Sequence, residues 1–362
     1  MEVLKVALTG GPCGGKTTSL STIQKEFAEK GYHVIIVPEA ATILINSGIR
    51  PFGENSIPGY NFQRYVMGLQ LQLEEMARSA AAEIDAPTII LCDRGMMDDK
   101  AYVTAEEYQQ LVKEFGMTEF EILNRYDLVI HLKSLAVDQE ELYNKECKNN
   151  PARSEDAEQA REKDKKTLES WLGHDNLKVI GNDESFEEKI NGAIREIHKM
   201  LKTPYPTQRQ EKYLVESVDL DKLKEKNPVQ MAIEQYVKLT EFGEVIYRKS
   251  ESEYETIYTK ITKADTPDDK ERLVRRKNIT KEEYLASIPT DEIPLRKTRY
   301  CFTYGNQYFR LDAFDDGLNI LEIEETNETR RRTIPSYIKI AEEVTDSPEY
   351  RNASLYTAKN TK

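Results

Sequence analysis

Two rhythms of hydrophobic and polar positions divide the chain near residue 206. Before it, short unbroken apolar runs alternate with stretches whose apolar residues recur every three or four positions. The runs are Val3–Thr9, His33–Pro38, Thr88–Asp93, Asp127–Leu132 and Leu177–Ile180. Each reads as a strand buried on both faces. Helical patterns lie between them: Lys16–Lys30 closed by Gly31, a long one over about Asn61–Ala82, and a charged one ending at Trp171. This alternation predicts a parallel sheet covered by helices, with ligands beyond the carboxyl ends of the strands.

After residue 206 the period falls to two. Lys212–Val215, Gln235–Leu239, Glu244–Lys249, Thr256–Ile261, Arg272–Lys277, Arg296–Phe302, Gln307–Phe314 and Leu318–Glu324 read as strands. Gly305–Asn306 and Asp316–Gly317 are hairpin signals. Thr280 and Glu283 have the spacing of a capping box. Lys297, Arg299 and Cys301 share one strand face, as do Arg310 with Asp312 and Glu322 with Glu324. The opposite faces hold Phe309, Leu311, Ala313, Leu321 and Ile323. A face this rich in Arg, Lys, Asp and Glu predicts a curved sheet lining an anion-binding groove or tunnel. The prolines of Lys202–Pro206 mark a break. The expected organisation is a domain over 1–203, a linker over 204–208, a second domain over 209–336 and a polar tail over 337–362.

Charge refines this picture. The 362 residues carry a net charge of −13, which argues against general nucleic-acid binding. Residues 1–206 hold 24 Lys and Arg against 34 Asp and Glu, whereas residues 207–362 hold 27 against 30. The second half is nearly balanced and its basic residues cluster, so a local anion site is compatible with the acidic whole. No apolar run reaches the ~18–20 residues of a membrane span, and no secretory signal opens the chain. Cys13, Cys92, Cys147 and Cys301 form no Cys-x-x-Cys pair. Scattered thiols of this kind suit the cytoplasm, where they stay reduced.

The chemistry starts at Gly10–Gly11–Pro12–Cys13–Gly14–Gly15–Lys16–Thr17–Thr18, a G-x-x-x-x-G-K-[ST] loop between a strand and a helix. Its backbone N–H groups cradle phosphates, Lys16 reaches the β- and γ-phosphates, and Thr17 ligates Mg²⁺. Asp93 ends an apolar strand, where it would organise the same Mg²⁺. Arg94 follows it. Glu39 ends the second strand and could accept a proton from a substrate hydroxyl. Arg153 and Arg161 fall on one helical face, placed to swing onto a transferring phosphoryl group. Asn182, after the fifth strand, sits where a base-contacting loop could lie. ATP and GTP are not distinguished by these residues.

Gly-Pro-x-Gly-Gly-Lys-Thr-Thr, Val-Pro-Glu-Ala-Ala-Thr and the strand ending Asp93-Arg94-Gly95 resemble the NadR-type AAA domain over about residues 3–200. That likeness implies acceptor-site roles for Glu39, Asp93 and Arg94 in a kinase-like α/β P-loop NTPase fold. The second half resembles the CYTH superfamily, through Ile233-x-Gln235-Tyr236-Val237, Tyr247-Arg248-Lys249, Thr259-Lys260-Ile261, Lys297-x-Arg299-Tyr300, Leu311-Asp312-x-Phe314 and Leu321-Glu322-Ile323-Glu324. Such barrels hold a triphosphate with basic residues and a metal with paired glutamates. The likeness implies anion or lipid contacts from Arg248, Lys260, Arg275, Lys297, Arg299, Arg310, Glu322 and Glu324. The family's opening Glu-x-Glu-x-Lys strand is absent, and Arg310 stands where many members have an acid, which disfavours triphosphate hydrolysis. Together the two halves resemble the TRPL translocation defect proteins. That family implies Mg²⁺ with GTP rather than ATP, binding of phosphatidic acid or phosphoinositides, peripheral membrane association and a part in membrane-protein trafficking.

Overall fold

The computed structural model describes residues 3–148, 156–182, 185–201, 207–208, 210–241, 243–253, 255–265, 272–304, 307–324 and 333–361. The side chains of 146–148, 207, 208, 210, 265, 272–275 and 324 fall outside that description. The chain forms two compact units, Met1–Ile197 and His198–Lys362. Among the described residues no helix is long and apolar enough to cross a membrane.

The first unit holds strands β1 (Val3–Thr9), β2 (His33–Val37), β3 (Thr88–Asp93), β4 (Leu128–Leu132) and β5 (Leu177–Ile180). They form one parallel sheet in the order β2-β3-β1-β4-β5. Its helices are α1 (Lys16–Ala28), α2 (Ala40–Asn46), α3 (Gly59–Glu83), α4 (Ala105–Glu114), α5 (Glu119–Leu123), α6 (Leu135–Asp138), α7 (Glu140–Lys148), α8 (Ala157–Ser170) and α9 (Phe186–Leu201). A 3₁₀ segment, Met96–Tyr102, follows β3. Val6, Ala7, Leu8, Ile89, Leu91, Val129 and Ile130 are buried on both faces of the central strands. The His33–Val37 run departs from the expectation. Its strand is at the sheet edge and pairs only with β3, so of its five residues only Val37 is fully buried. Parallel pairing puts every strand's carboxyl end on one rim of the sheet. There sit the loop after β1, Glu39 after β2, Arg94 after β3, Ser134 after β4 and Asn182 after β5.

The second unit holds β6 (Thr207–Gln208), β7 (Gln210–Val218), β8 (Val229–Thr240), β9 (Gly243–Glu251), β10 (Thr256–Asp265), β11 (Arg272–Asn278), β12 (Leu295–Tyr304), β13 (Gln307–Phe314), β14 (Asn319–Glu324) and β15 (Ile338–Glu343). Helices α10 (Leu220–Lys224), α11 (Lys281–Ser287) and α12 (Asn352–Asn360) complete it. The ten strands form one antiparallel sheet, β15-β7-β14-β13-β12-β8-β9-β10-β11-β6. It curls. Lys263 on β10 lies within the electrostatic reach of Lys212 on β7 and Glu322 on β14. In a flat sheet β10 and β7, six places apart, would be separated by roughly 29 Å at ~4.8 Å per strand.

Register sorts the side chains as period two requires. The convex face carries Tyr300, Phe302, Phe309, Leu311, Leu321 and Ile323, packed under Leu223 of α10 and Ile338 of β15. The concave face carries the charges, with an apolar zone of Val237, Ile246, Ile261, Leu295, Phe314 and Ile320 closed by Tyr356 of α12. The polar tail expected over 337–362 is thus part of the fold. Ile338–Glu343 pairs with β7 across two register shifts, and α12 buries Tyr356. The capping box at Thr280 and Glu283 forms as the spacing predicts. The turn at Gly305–Asn306 lies outside the described residues.

Candidate functional site

The loop after β1 wraps tightly because small residues are needed on every side. A Cβ on Gly10 would sit 2.1 Å from the Leu132 carbonyl oxygen, and one on Gly14 would sit 2.6 Å from it. Gly10 and Gly15 take positive φ (136° and 87°), and Cys13 does so at 54° despite its side chain. Asp164 of α8 fastens the loop from behind. Its Oδ1 accepts from Gly11 N at 2.8 Å and Ser134 N at 2.9 Å, and His131 Nε2 lies 3.3 Å away. Ser134 Oγ donates to the Pro12 carbonyl at 2.5 Å. Burial raises the Asp164 pKa, but the His131 charge and these hydrogen bonds outweigh it and hold the carboxyl at about 2.

Lys16 opens α1, and its ammonium donates to the carbonyls of Gly10 (2.7 Å) and Gly11 (2.8 Å). Burial and the charge of Arg94 lower its pKa to about 8, against the pull of Glu39, Asp93 and Asp98. Thr17 and Thr18 are exposed. The Thr17 hydroxyl is 3.5 Å from Asp93 Oδ2. A hydroxyl and a carboxylate side by side at the loop's mouth fit Mg²⁺, a hard cation that takes few protein oxygens and completes its shell with phosphates and water. Burial and Glu39 raise the pKa of Asp93.

Arg94 has φ of +73°, a left-handed conformation that turns its side chain back over the loop. Its Nε is 2.5 Å from Glu39 Oε1 and its Nη1 is 3.3 Å from Asp98 Oδ2. Glu39 also accepts from Thr42 Oγ1 at 2.6 Å. Burial works against ionisation of Glu39, but Arg94 and Thr42 prevail and hold its carboxyl below the usual range. Asp98 is the knot beneath, taking Thr9 Oγ1 at 2.6 Å and Trp171 Nε1 at 2.5 Å.

These groups line a cavity of about 1360 Å³ that runs from Lys16 and Thr17 past Glu39 and Arg94 to Phe62, Gln63 and Asp99. Glu39, Asp93 and Arg94 therefore meet as the sequence predicts. Arg161 does not join them: it binds the Ala136 carbonyl at 3.0 Å and Glu140 at 2.8 Å. Lys163, two residues on, is the α8 cation that lines the cavity. Arg153 lies outside the described residues. Asn182 lines the cavity, but its amide donates to Ser134 O (2.9 Å) and accepts from Lys189 (2.8 Å), so it braces the loops. Asp98, Asp99, Lys189 and Phe186 are among the lining residues that escaped the sequence reading. The only signal was the acidic pair placed shortly after Asp93–Arg94. Burial and Asp98 push the Asp99 carboxyl well above its usual range, and its Oδ2 has no hydrogen-bond partner.

The second unit gathers another charged group on its concave face. Asp312 accepts from Arg299 Nε and Nη2 at 2.6 and 2.7 Å and from Lys297 Nζ at 2.6 Å. Glu322 faces Arg299 (3.4 Å), Lys212 (3.4 Å) and Arg310 (3.6 Å). Lys263 lies 3.5 Å from Glu244, and Arg248 donates to Gln235 Oε1 at 3.3 Å. Burial leads in lowering the pKa of Lys297 to about 7 and of Lys263 to about 8. Lys260, expected here, is on the opposite face, 5.9 Å from the Tyr247 ring. Register puts Lys263 inward instead, in line with Ile261. The side chains of Arg275 and Glu324 lie outside the described residues. Lys212, Lys263 and Gln235 were missed as members of the cluster.

A parallel sheet carrying a phosphate-cradling loop after β1, with an acid at the end of the neighbouring strand, defines a P-loop nucleotide-binding protein. Residues 5–189 match the family described as an AAA domain, and the chain belongs to that family. No curated protein matches it. Among solved structures it is similar to an inorganic triphosphatase, at 21% identity over 41% of this chain and 93% of that one, with a TM-score of 0.29. It is also similar to a protein from Pyrococcus horikoshii, at 14% identity over 34% of this chain and 80% of that one, with a TM-score of 0.28.

Proposed function

We propose that the first unit binds a magnesium nucleoside triphosphate and transfers the γ-phosphoryl group to a hydroxyl of a small molecule seated between Glu39 and Gln63. The observation that carries this is the size of the cavity, which at about 1360 Å³ exceeds the ~300–1,000 Å³ of a single-ligand pocket and is lined beyond Glu39 by Phe62, Gln63 and Asp99. The loop amides and Lys16 hold the phosphates. Thr17 and Asp93 would hold Mg²⁺, which would supply neutralisation of the phosphate charge. Arg94 balances charge at the transferring group, and Glu39, kept ionised by Arg94, receives the hydroxyl proton. The acceptor oxygen bonds to the γ-phosphorus, the bond to the bridging oxygen breaks, and the nucleoside diphosphate departs.

The test incubates the protein and Mg²⁺ with γ-labelled GTP, and separately ATP, in a small-molecule cell extract, with Lys16→Ala as control. Label in a new small molecule is expected, and Glu39→Gln should abolish transfer while leaving nucleotide binding intact. Label confined to free phosphate or nucleotide overturns the kinase reading and leaves a nucleotide-dependent switch.

The buried cations of the second unit favour a second reading, in which the curled sheet binds a phosphate-bearing anion. The resemblance to the TRPL translocation defect proteins implies that this anion is the headgroup of phosphatidic acid or a phosphoinositide, with GTP on the P-loop and a role in membrane-protein trafficking. Co-sedimentation with phosphatidic-acid vesicles tests it. Neutralising Lys297 and Arg299 together is a poor probe, because it strands Asp312, and an uncompensated buried charge costs about 3–5 kcal/mol.

A further inference from the structure

The resemblance that suggests an anion site in the second unit also implies a divalent metal held there by carboxylates, and the donor set on the concave face does not fit one. Each of the three buried carboxylates among the described side chains already faces cations: Asp312 takes Lys297 and both nitrogens of Arg299, Glu322 takes Lys212, Arg299 and Arg310, and Glu244 faces Lys263. A metal ligated by any of them would displace an ammonium or guanidinium and then sit beside it, uncompensated. Among the described residues no group of three or more His, Cys, Asp or Glu could hold a metal ion. The strand position that should open with acids carries Lys212 instead.

What remains is positive. Among the described residues, Lys212, Arg248, Lys263, Lys297, Arg299 and Arg310 oppose Glu244, Asp312 and Glu322, so these six cationic side chains, three buried and three half-buried, face three buried carboxylates. Gln235 is fully buried on the same face, and its Nε2 has no hydrogen-bond partner. A buried amide donor without an acceptor, beside buried Lys297, Arg299 and Arg310 and half-buried Lys212, Arg248 and Lys263, is complemented by an anion rich in acceptor oxygens. We infer that this face binds a phosphate-bearing anion without a divalent metal, its lysines and arginines neutralising the charge that a metal would otherwise balance. The inference rests on reading the second unit as an anion site and adds the means of binding.

The test uses full-length protein carrying Lys16→Ala, so that the P-loop does not contribute. Inorganic tripolyphosphate is titrated calorimetrically in excess EDTA and again in Mg²⁺. Vesicles of phosphatidic acid in phosphatidylcholine, and of phosphatidylcholine alone, are co-sedimented in the same two buffers. Binding of either phosphate probe in EDTA, with affinity changed less than about threefold by Mg²⁺, is expected; which probe binds tells a headgroup from a free phosphate. Lys212→Met with Arg248→Met should weaken it about tenfold or more, about 1.4 kcal/mol or more, while leaving the Lys297–Asp312–Arg299 pairs, Lys263–Glu244, and Arg299 and Arg310 beside Glu322 in place. Lys212→Arg should retain most of the binding due to position 212. Binding that requires Mg²⁺, or tightens more than about tenfold with it, overturns the inference and spares the anion reading. Unchanged binding in the double variant overturns it too. No binding of either probe in either buffer removes the anion reading as well.

Discussion

Asp164 shows how much one side chain can hold at the residue scale. It sits on a helix far along the chain, yet its carboxylate ties together the loops after β1 and β4. Its folded pKa of about 2, against 3.8 for an ordinary aspartate, is a stability term. Because the folded value is the lower, the contribution is fully present above pH ~4 and is lost as pH falls towards ~2. At ~1.4 kcal/mol per pKa unit it amounts to about 2.5 kcal/mol. Asp164→Asn should therefore cost about that much in urea unfolding at neutral pH, and the gap between variant and parent should narrow on acidification below pH ~4. A gap independent of pH would contradict this account. Nothing in the sequence near Asp164 announced the role. The P-loop and the trio of Glu39, Asp93 and Arg94 were legible because local spacing and strand ends place them. Asp164 reaches the loop, and Trp171 reaches Asp98, only through tertiary convergence. Arg161 was misjudged because helical spacing fixes a face but not what that face meets.

At the scale of elements, alternation in the second unit correctly put Lys297, Arg299, Arg310, Asp312 and Glu322 on one face, since β-register leaves no other choice. It failed for β10, where Tyr258, Lys260, Thr262 and Ala264 on one face and Thr259, Ile261 and Lys263 on the other both mix polar and apolar residues, so the pattern alone does not say which lysine points inward. It also missed α12. A short polar helix looks like a tail until Tyr356 is seen to pack against residues of six strands and Asn352 to accept from Lys297 at 3.2 Å. The Tyr356 hydroxyl also donates to Glu292. Tyr356→Ala should cost about 3 kcal/mol, the size of a large aromatic removed from a packed site, and should lower the melting temperature of the second unit. A loss under about 0.5 kcal/mol would mean that α12 is an ornament to the fold.

For the whole molecule, net charge does not set the charge of its cavities. The chain is acidic overall at −13, yet both of its candidate sites are built around cations: Lys16, Arg94, Lys163 and Lys189 in the first unit, and the concave cluster in the second. Net charge speaks for solubility and against indiscriminate nucleic-acid binding; it is silent about such interiors. The edge strand β2 makes a similar point about sheets, for an apolar run says that a strand exists but not how many neighbours it has.

Trp171 gives these ideas an optical handle. It is the only tryptophan in the chain, it is fully buried in the first unit, and its indole nitrogen rests on the Asp98 carboxylate that also receives Arg94 and Thr9. Tryptophan emission, excited apart from that of the tyrosines, thus watches the floor of the P-loop cavity. Nucleotide at 100 times its dissociation constant should stabilise the first unit by about 2.7 kcal/mol by mass action. Denaturation followed through tryptophan emission should move by that amount, and an unmoved curve would mean that the loop holds no nucleotide. A ligand of the second unit should leave the emission colour of Trp171 as it was, so one unlabelled chain can report separately on which of its two sites is filled.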